Sequence, residues 1–310
     1  MQCIVISENM DAPAVALLTR EFDVDYRPAL VDDAAELAKA LARADAWIVR
    51  NRTQVRGPAL AAASRLRVVG RLGVGLDNID LGACAERGIE VIPATGANAE
   101  SVAEYVLGMG MILLRGAAYL STSAVTAGRW PRQMLSQGRE ISGKTLGLVG
   151  FGSIGQVTAR KAAALGLRVV AFDPAIAAQS PLWRECGATP CGLDELLAQA
   201  DIVSLHLPLG DATRNLIDAE RLARMKPDAI LVNSARGGIV DEAAVARALR
   251  TGRLAGAALD VFAEEPLRAG SVLADAPNLI LTPHIAGVTR ESNERVSTLI
   301  AERVAARLRG

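Results

Sequence analysis

The sequence predicts an α/β protein built as two doubly wound parallel-sheet domains. Three observations carry that expectation. Short β-branched runs alternate with alanine-rich helical stretches along nearly the whole chain, the order in which parallel strands and their crossover helices occur. The 310 residues are 51% apolar but only 3% aromatic, a mixture rich in Ala, Val, Leu and Ile that suits helices packed on a sheet buried on both faces. The alternation also stops and starts afresh after Asn98, and the length is about that of two domains.

Taken in order, residues 3–7, 46–50, 67–70 and 90–93 read as strands, and 12–21, 33–42 and 57–63 as helices, together a small parallel βα domain. The most hydrophobic stretch, 101–120, is interrupted by Glu104 and Arg115, which leaves ten uncharged residues from Tyr105 to Leu114. That is too short to span a bilayer and predicts a buried helix. A Gly/Arg/Pro-rich loop at 128–132 leads into a second series, with strands expected at 145–149, 168–172, 201–205, 229–233, 255–260 and 279–282. The last helix, 290–308, is expected to pack back on the first domain, and no internal repeat interrupts the pattern.

Charge and cysteine usage narrow the function classes. With 34 Lys+Arg against 34 Asp+Glu, the molecule as a whole attracts neither a phosphate backbone nor an anionic membrane, so no nucleic-acid and no membrane partner is expected. The first seven residues lack a basic region and a cleavage site, which points to a cytoplasmic rather than a secreted protein. Cys3, Cys84, Cys186 and Cys191 are scattered, and the pair 186/191 has no second close pair or nearby His. Reduced structural thiols and no metal site are expected.

The sharpest local signal is the G-x-G-x-x-G of Gly150, Gly152 and Gly155, directly after an apolar run and at the mouth of a helix. Glycines there allow a tight turn, close approach to a pyrophosphate and close helix–strand packing, while the helix N-terminus offers free N–H groups to phosphate. Asp173 falls 23 residues after Gly150, at the end of the next expected strand, where an acidic side chain accepts from an adenosine ribose. Pro174, Ala175 and Ile176 follow it with no Arg for a 2′-phosphate, so the cofactor is expected to be NAD rather than NADP. About six strands in this half match a Rossmann dinucleotide-binding sheet.

Two histidines are present. His206 ends an apolar strand, which suggests a structural or cofactor-edge role. His284 lies in the loop after 279–282, at the strand end where open α/β sheets bind ligands. Arg236 follows the strand 229–233 and precedes Gly237-Gly238; Glu265 follows 255–260. Three consecutive strand ends thus offer an Arg suited to a carboxylate, a Glu that can orient an imidazole, and a His that can move a proton.

These segments, together with residues 68–80 (Val-Val-Gly-Arg-Leu-Gly-Val-Gly-Leu-Asp-Asn-Ile-Asp), resemble the D-isomer-specific 2-hydroxyacid dehydrogenase family over nearly the whole chain, and most of all its 3-phosphoglycerate dehydrogenase branch. The resemblance implies that Arg236 binds and polarises a 2-oxo acid, that His284 is the acid/base and that Glu265 is its partner. It implies a discontinuous, flavodoxin-like substrate domain, 1–98 with 285–310, an inserted NAD-binding domain, 99–284, and a homodimer. Expected cofactor contacts are Gly150, Gly152, Ser153, Ile154, Gly155, Asp173, His206, Pro208, Thr213, Ala235, Arg236, Asp260, His284 and Gly287. Expected substrate contacts are Arg50, Arg52, Arg71, Gly73, Val74, Gly75, Asn98 and Arg236.

The chain stops near residue 310, so the C-terminal regulatory domain of some phosphoglycerate dehydrogenases is not expected. The loops 51–56 and 93–98 differ from the usual phosphoglycerate enzymes, and a similar pattern occurs in the family's sulfolactate dehydrogenases. Arg50, Arg52, Arg71, Arg129 and Arg132 are more cation than one carboxylate requires, and guanidinium suits tetrahedral oxyanions. The expected substrate is therefore a small 2-hydroxy or 2-oxo acid with a second anionic group, 3-phosphoglycerate or 3-sulfolactate, of either hand. Two other readings compete. An NAD-sensing dimeric scaffold would not turn over, and a formate dehydrogenase would carry Gln where Glu265 stands.

Overall fold

A computed structural model describes residues 1–116 and 118–310, and the chain divides into Met1–Asn98 with Val288–Gly310 on one side and Ala99–Gly287 on the other. The first unit carries β1 (Cys3–Ile6), β2 (Asp23–Tyr26), β3 (Ala46–Val49), β4 (Val68–Arg71) and β5 (Glu90–Pro93) in a parallel sheet of order β2-β1-β3-β4-β5. Side chains alternate across it: Ile4, Ile6 and Ile48 pack with Val296, Ile300 and Val304 of the helix Arg290–Arg309, while Val5, Trp47 and Val49 pack with Leu37 and Leu41 on the other face. A Cβ on Gly70 would lie 2.7 Å from Ile300 Cγ2 and 2.8 Å from Val304 Cγ2, so glycine in β4 lets the returning C-terminal helix seat on the sheet.

The second unit carries β6 (Thr145–Val149), β7 (Arg168–Phe172), β8 (Ala188–Pro190), β9 (Ile202–Leu205), β10 (Ile230–Asn233), β11 (Gly256–Leu259) and β12 (Leu279–Leu281), all parallel, in the order β12-β11-β10-β9-β6-β7-β8. The long apolar helix spans Ala99–Leu114 and buries Val102, Val106 and Leu113 against Leu146, Leu148 and Ile202. The opposite face of the sheet buries Val149, Val203 and Leu205 with Leu196 and Leu197. Among the described residues, no single helix is long and apolar enough to cross a membrane.

Two details differ from the sequence expectation. β2 is an edge strand of sequence Asp-Val-Asp-Tyr, and its charged residues hide the apolar alternation by which strands are read. β8 has three residues ending in Pro190 at the other sheet's edge, so that sheet has seven strands rather than about six. The chain returns to the first unit after Gly287, and just before that point the N–H groups of Ile285 and Ala286 are held by the Asp260 carboxylate at 2.8 Å each.

Candidate active site

In the seven-stranded sheet the chain leaves β6 in one direction through β7 and β8, then crosses back to β9 beside β6. The C-terminal end of this reversal is where open α/β sheets bind ligands. Along that rim, in strand order, come the His284 loop after β12, Asp260 and Glu265 after β11, Arg236 after β10, His206 after β9, the glycine loop after β6 and Asp173 after β7.

The glycine loop is built by close backbone approach. Gly150 has φ +97°, and a Cβ there would fall 2.4 Å from the His206 carbonyl oxygen; a Cβ on Gly155 would fall 2.5 Å from the Gly150 carbonyl oxygen. Gly152, in contrast, has no other atom within 4 Å of its Cβ position. It is the N-cap of the helix Ser153–Ala164, which has no side-chain cap, and so leaves N–H groups turned to open space, as a bound pyrophosphate requires. Ile154 packs against the core below. Asp173 accepts from Phe151 N–H at 2.8 Å and from Ala175 N–H at 2.9 Å, which ties the glycine loop to β7 and leaves lone pairs on both oxygens for ribose hydroxyls. These residues fit NAD.

His206 donates its backbone N–H to the Val149 carbonyl at 2.7 Å, and its Nε2 lies 3.0 Å from Ser204 Oγ. Burial pulls its pKa down to about 4, so the ring is neutral near neutral pH. Thr213 Oγ1 donates to the Pro208 carbonyl at 2.7 Å and accepts from Gly210 N–H at 2.8 Å, closing the loop after β9.

After β10, Asn233 shapes the turn from both ends: its Oδ1 accepts from Ala235 N–H at 3.1 Å and its Nδ2 donates to the Arg236 carbonyl at 3.0 Å. The Arg236 guanidinium donates through Nη1 to the Ala235 carbonyl at 2.6 Å. A Cβ on Gly237 would lie 1.7 Å from the Phe262 carbonyl oxygen, so the Arg236 loop presses directly on the loop that bears Glu265. Glu265 Oε1 accepts from Phe262 N–H at 3.0 Å, and its Oε2 meets His284 Nδ1 at 2.8 Å. With Nδ1 engaged, His284 keeps Nε2 for another proton partner, and its side chain is half exposed.

His284 sits at φ +56°, a conformation that costs a non-glycine residue about 1 kcal/mol or more and persists where surroundings over-determine it. Asp260, 1% exposed, does this. Its backbone carbonyl accepts from His284 N–H at 2.8 Å, and its carboxylate accepts from Thr282 Oγ1 at 2.6 Å and from the N–H groups of Ile285 and Ala286. Gly287 closes this loop.

In the smaller unit, Arg50, Arg71 to Gly75 and Asn98 lie at or beyond the C-terminal ends of the adjacent strands β3, β4 and β5. Arg50 Nη2 donates to Asn293 Oδ1 at 2.7 Å. Arg71 folds over Gly73, whose Cβ would lie 2.1 Å from Arg71 Nη1, and Val74 follows in the same loop. Asn98 Oδ1 is buried without a hydrogen-bond partner. Arg52 is turned to a half-exposed ion pair with Asp32. Sequence reasoning missed what fixes the 50–53 loop. Glu8, 4% exposed, accepts N–H bonds from Arg50, Arg52 and Thr53 at 2.8, 3.0 and 2.9 Å, and Asn78 Nδ2 donates to the carbonyls of Arg50 and Thr53 at 3.1 and 2.6 Å. An acid directly after β1 was the available signal. Among the described residues no group of His, Cys, Asp and Glu could hold a metal, and all four cysteines are free thiols.

A seven-stranded parallel sheet with a glycine-rich loop at a helix N-terminus, an acid at the end of the next strand and a Glu-held His on the same rim is the arrangement of a nucleotide-dependent dehydrogenase. The family model for the D-isomer specific 2-hydroxyacid dehydrogenase, NAD binding domain, matches residues 94–286, and the chain belongs to this family; it is an NAD-dependent 2-hydroxyacid dehydrogenase. It is 55% identical over 304 residues to an (S)-sulfolactate dehydrogenase of Chromohalobacter salexigens, covering 98% of this chain and 97% of that one. It is 41% identical over 309 residues to a D-3-phosphoglycerate dehydrogenase of Mycobacterium leprae, covering 99% of this chain but 57% of that protein. Among solved structures, the TT0316 protein from Thermus thermophilus superposes with a TM-score of 0.88 at 35% identity, over 100% of this chain and 97% of that one.

Proposed function

We propose that the chain oxidises 3-sulfolactate reversibly at C2, with NAD, and that Arg236, Glu265 and His284 carry the chemistry. The observation that carries this reading is the 2.8 Å contact of His284 Nδ1 with Glu265 Oε2, which orients the ring and directs Nε2 to the substrate hydroxyl. In oxidation, neutral His284 takes the hydroxyl proton at Nε2; in reduction the imidazolium returns it, with Glu265 stabilising the charged ring. Arg236 pins the substrate carboxylate and stabilises negative charge on the C2 oxygen. When bound, NAD supplies the acceptor for the hydride that leaves C2. The glycine loop would hold its pyrophosphate and Asp173 its adenosine ribose.

A sulfonate as the second anion is supported by the relative named above at 55% identity. The (S) hand follows the same relative. A homodimer is supported by the exposed apolar side chains Leu120, Val125, Trp130 and Met134 of the larger unit, Trp130 being 77% exposed. Four free thiols favour the cytoplasm.

The deciding experiment compares kcat/KM, read as NADH absorbance, for both hands of 3-sulfolactate, 3-phosphoglycerate, lactate and glycerate. Preference for the (S) hand of 3-sulfolactate is expected, and a preference for the (R) hand would overturn the stereochemical reading. A 3-phosphoglycerate preference would move the substrate to that acid, and equal or better use of lactate or glycerate would refute recognition of a second anion.

A further inference from the structure

We propose that Tyr105 is a positioning residue for hydride transfer, acting through Thr282 and Asp260 on the loop that carries His284. The inference rests on the reading of His284 as the acid/base. Tyr105 lies in the helix Ala99–Leu114, far in sequence from the reacting groups, and its hydroxyl meets Thr282 Oγ1 at 2.7 Å. Thr282 Oγ1 in turn meets Asp260 Oδ1 at 2.6 Å.

Chemistry fixes the direction of this chain. A carboxylate only accepts, so the single Thr282 proton is given to Asp260 and the Tyr105 hydroxyl must donate to Thr282. Tyr105 can fill that role at any working pH. Burial pushes its pKa up to about 12, against the lowering effect of the Thr282 bond and with a further push from the Asp260 charge, so the proton stays on the phenol.

The chain ends where strain is held. Asp260 grips the segment before His284 through Thr282 and the segment after it through Ile285 and Ala286 N–H, and between these points His284 adopts its left-handed φ of +56°. Donation by Tyr105 fills an acceptor site of Thr282 and polarises the bond to Asp260. Without it, the loop loses one of the bonds that hold His284 in its unfavourable conformation.

The test uses the intact enzyme and the fastest acid of the panel above. Tyr105→Phe keeps the ring and should lower kcat/KM for the acid about three- to tenfold, the scale of one neutral hydrogen bond, while NADH affinity by fluorescence titration changes less than about twofold. The primary deuterium isotope effect from C2 should increase, because the chemical step slows. Thr282→Val should cost about tenfold or more and Thr282→Ser should retain most of the rate. The double variant Tyr105→Phe/Thr282→Val should be no slower than Thr282→Val alone, since Tyr105 acts only through Thr282. Wild-type kinetics in Tyr105→Phe, or losses that multiply in the double variant, would overturn the inference. A His284→Ala control separates the two levels: a dead control with normal Tyr105→Phe removes only the positioning role, whereas a near wild-type control removes the acid/base reading and the inference with it.

Discussion

Replacing Glu8 by Ala should weaken the smaller unit by about 3 kcal/mol at neutral pH, although no substrate or cofactor is involved. The magnitude follows from the three N–H groups that Glu8 satisfies. Thr53 is 1% exposed, so its stranded N–H carries a full desolvation penalty of about 2 kcal/mol; the N–H groups of Arg50 and Arg52, nearer solvent, rehydrate and cost about 0.5 kcal/mol each. Glu8→Gln should be milder, at about 1 kcal/mol, because its amide oxygen can still serve Arg50 and Thr53 from the position of Oε2 and only Arg52 N–H then faces an amide NH2. Thermal unfolding by circular dichroism should show the transition of that unit about 10 °C lower for the Ala variant.

The pH dependence provides a second reading of the same contact. Burial alone would raise the Glu8 pKa, but the N–H bonds from Thr53, Arg52 and Arg50 and the Thr53 hydroxyl hold it below its ordinary 4.5. A carboxyl whose folded pKa is depressed stabilises the protein above its unfolded pKa and loses that contribution as pH falls through the folded value. The gap between wild type and Glu8→Ala should therefore be constant above about pH 5 and narrow below about pH 4.5. An Ala variant within about 2 °C of wild type at neutral pH, or a gap independent of pH down to about 3, would refute the argument.

Other outcomes follow from the larger unit. His284→Ala and Arg236→Ala should each lower kcat at least about a hundredfold, the scale of an acid/base or oxyanion contact, while NADH titration by fluorescence stays near wild type for His284→Ala. NAD should exceed NADP in kcat/KM by well over about tenfold; Asp173→Ala should relax that preference mainly by weakening NAD, since the change also frees Phe151 N–H in the glycine loop. Gly237→Ala should lower the melting temperature by about 10 °C or abolish soluble expression, because its Cβ would lie 1.7 Å from the Phe262 carbonyl. A soluble variant with wild-type melting temperature would show that the two loops can part at little cost.

Much of this protein was legible from residue order alone. Buried parallel strands such as β6 and β10 are continuous apolar runs, and a glycine motif between such a run and a helix has few other uses. That Arg236, Glu265 and His284 share one rim was legible because each follows a recognisable strand, and parallel topology brings the ends of consecutive strands together. The edges were not legible. β2 is half charged and β8 is three residues long, and an edge strand draws its stability from one neighbour rather than from its own pattern.

The sequence by itself therefore determined the fold class and the cofactor type, because those depend on local periodicity and on side chains with few alternative uses. Only the tertiary structure decided what holds the groups of the candidate site. Glu8 lies 42 residues from Arg50 and Tyr105 lies 177 from Thr282; a buried Glu and a half-buried Tyr read locally as ordinary charge and ordinary core. Their meaning comes from hydrogen bonds that must be satisfied once water is excluded, and partners for such bonds are chosen by which strand ends and helices the completed sheet brings together.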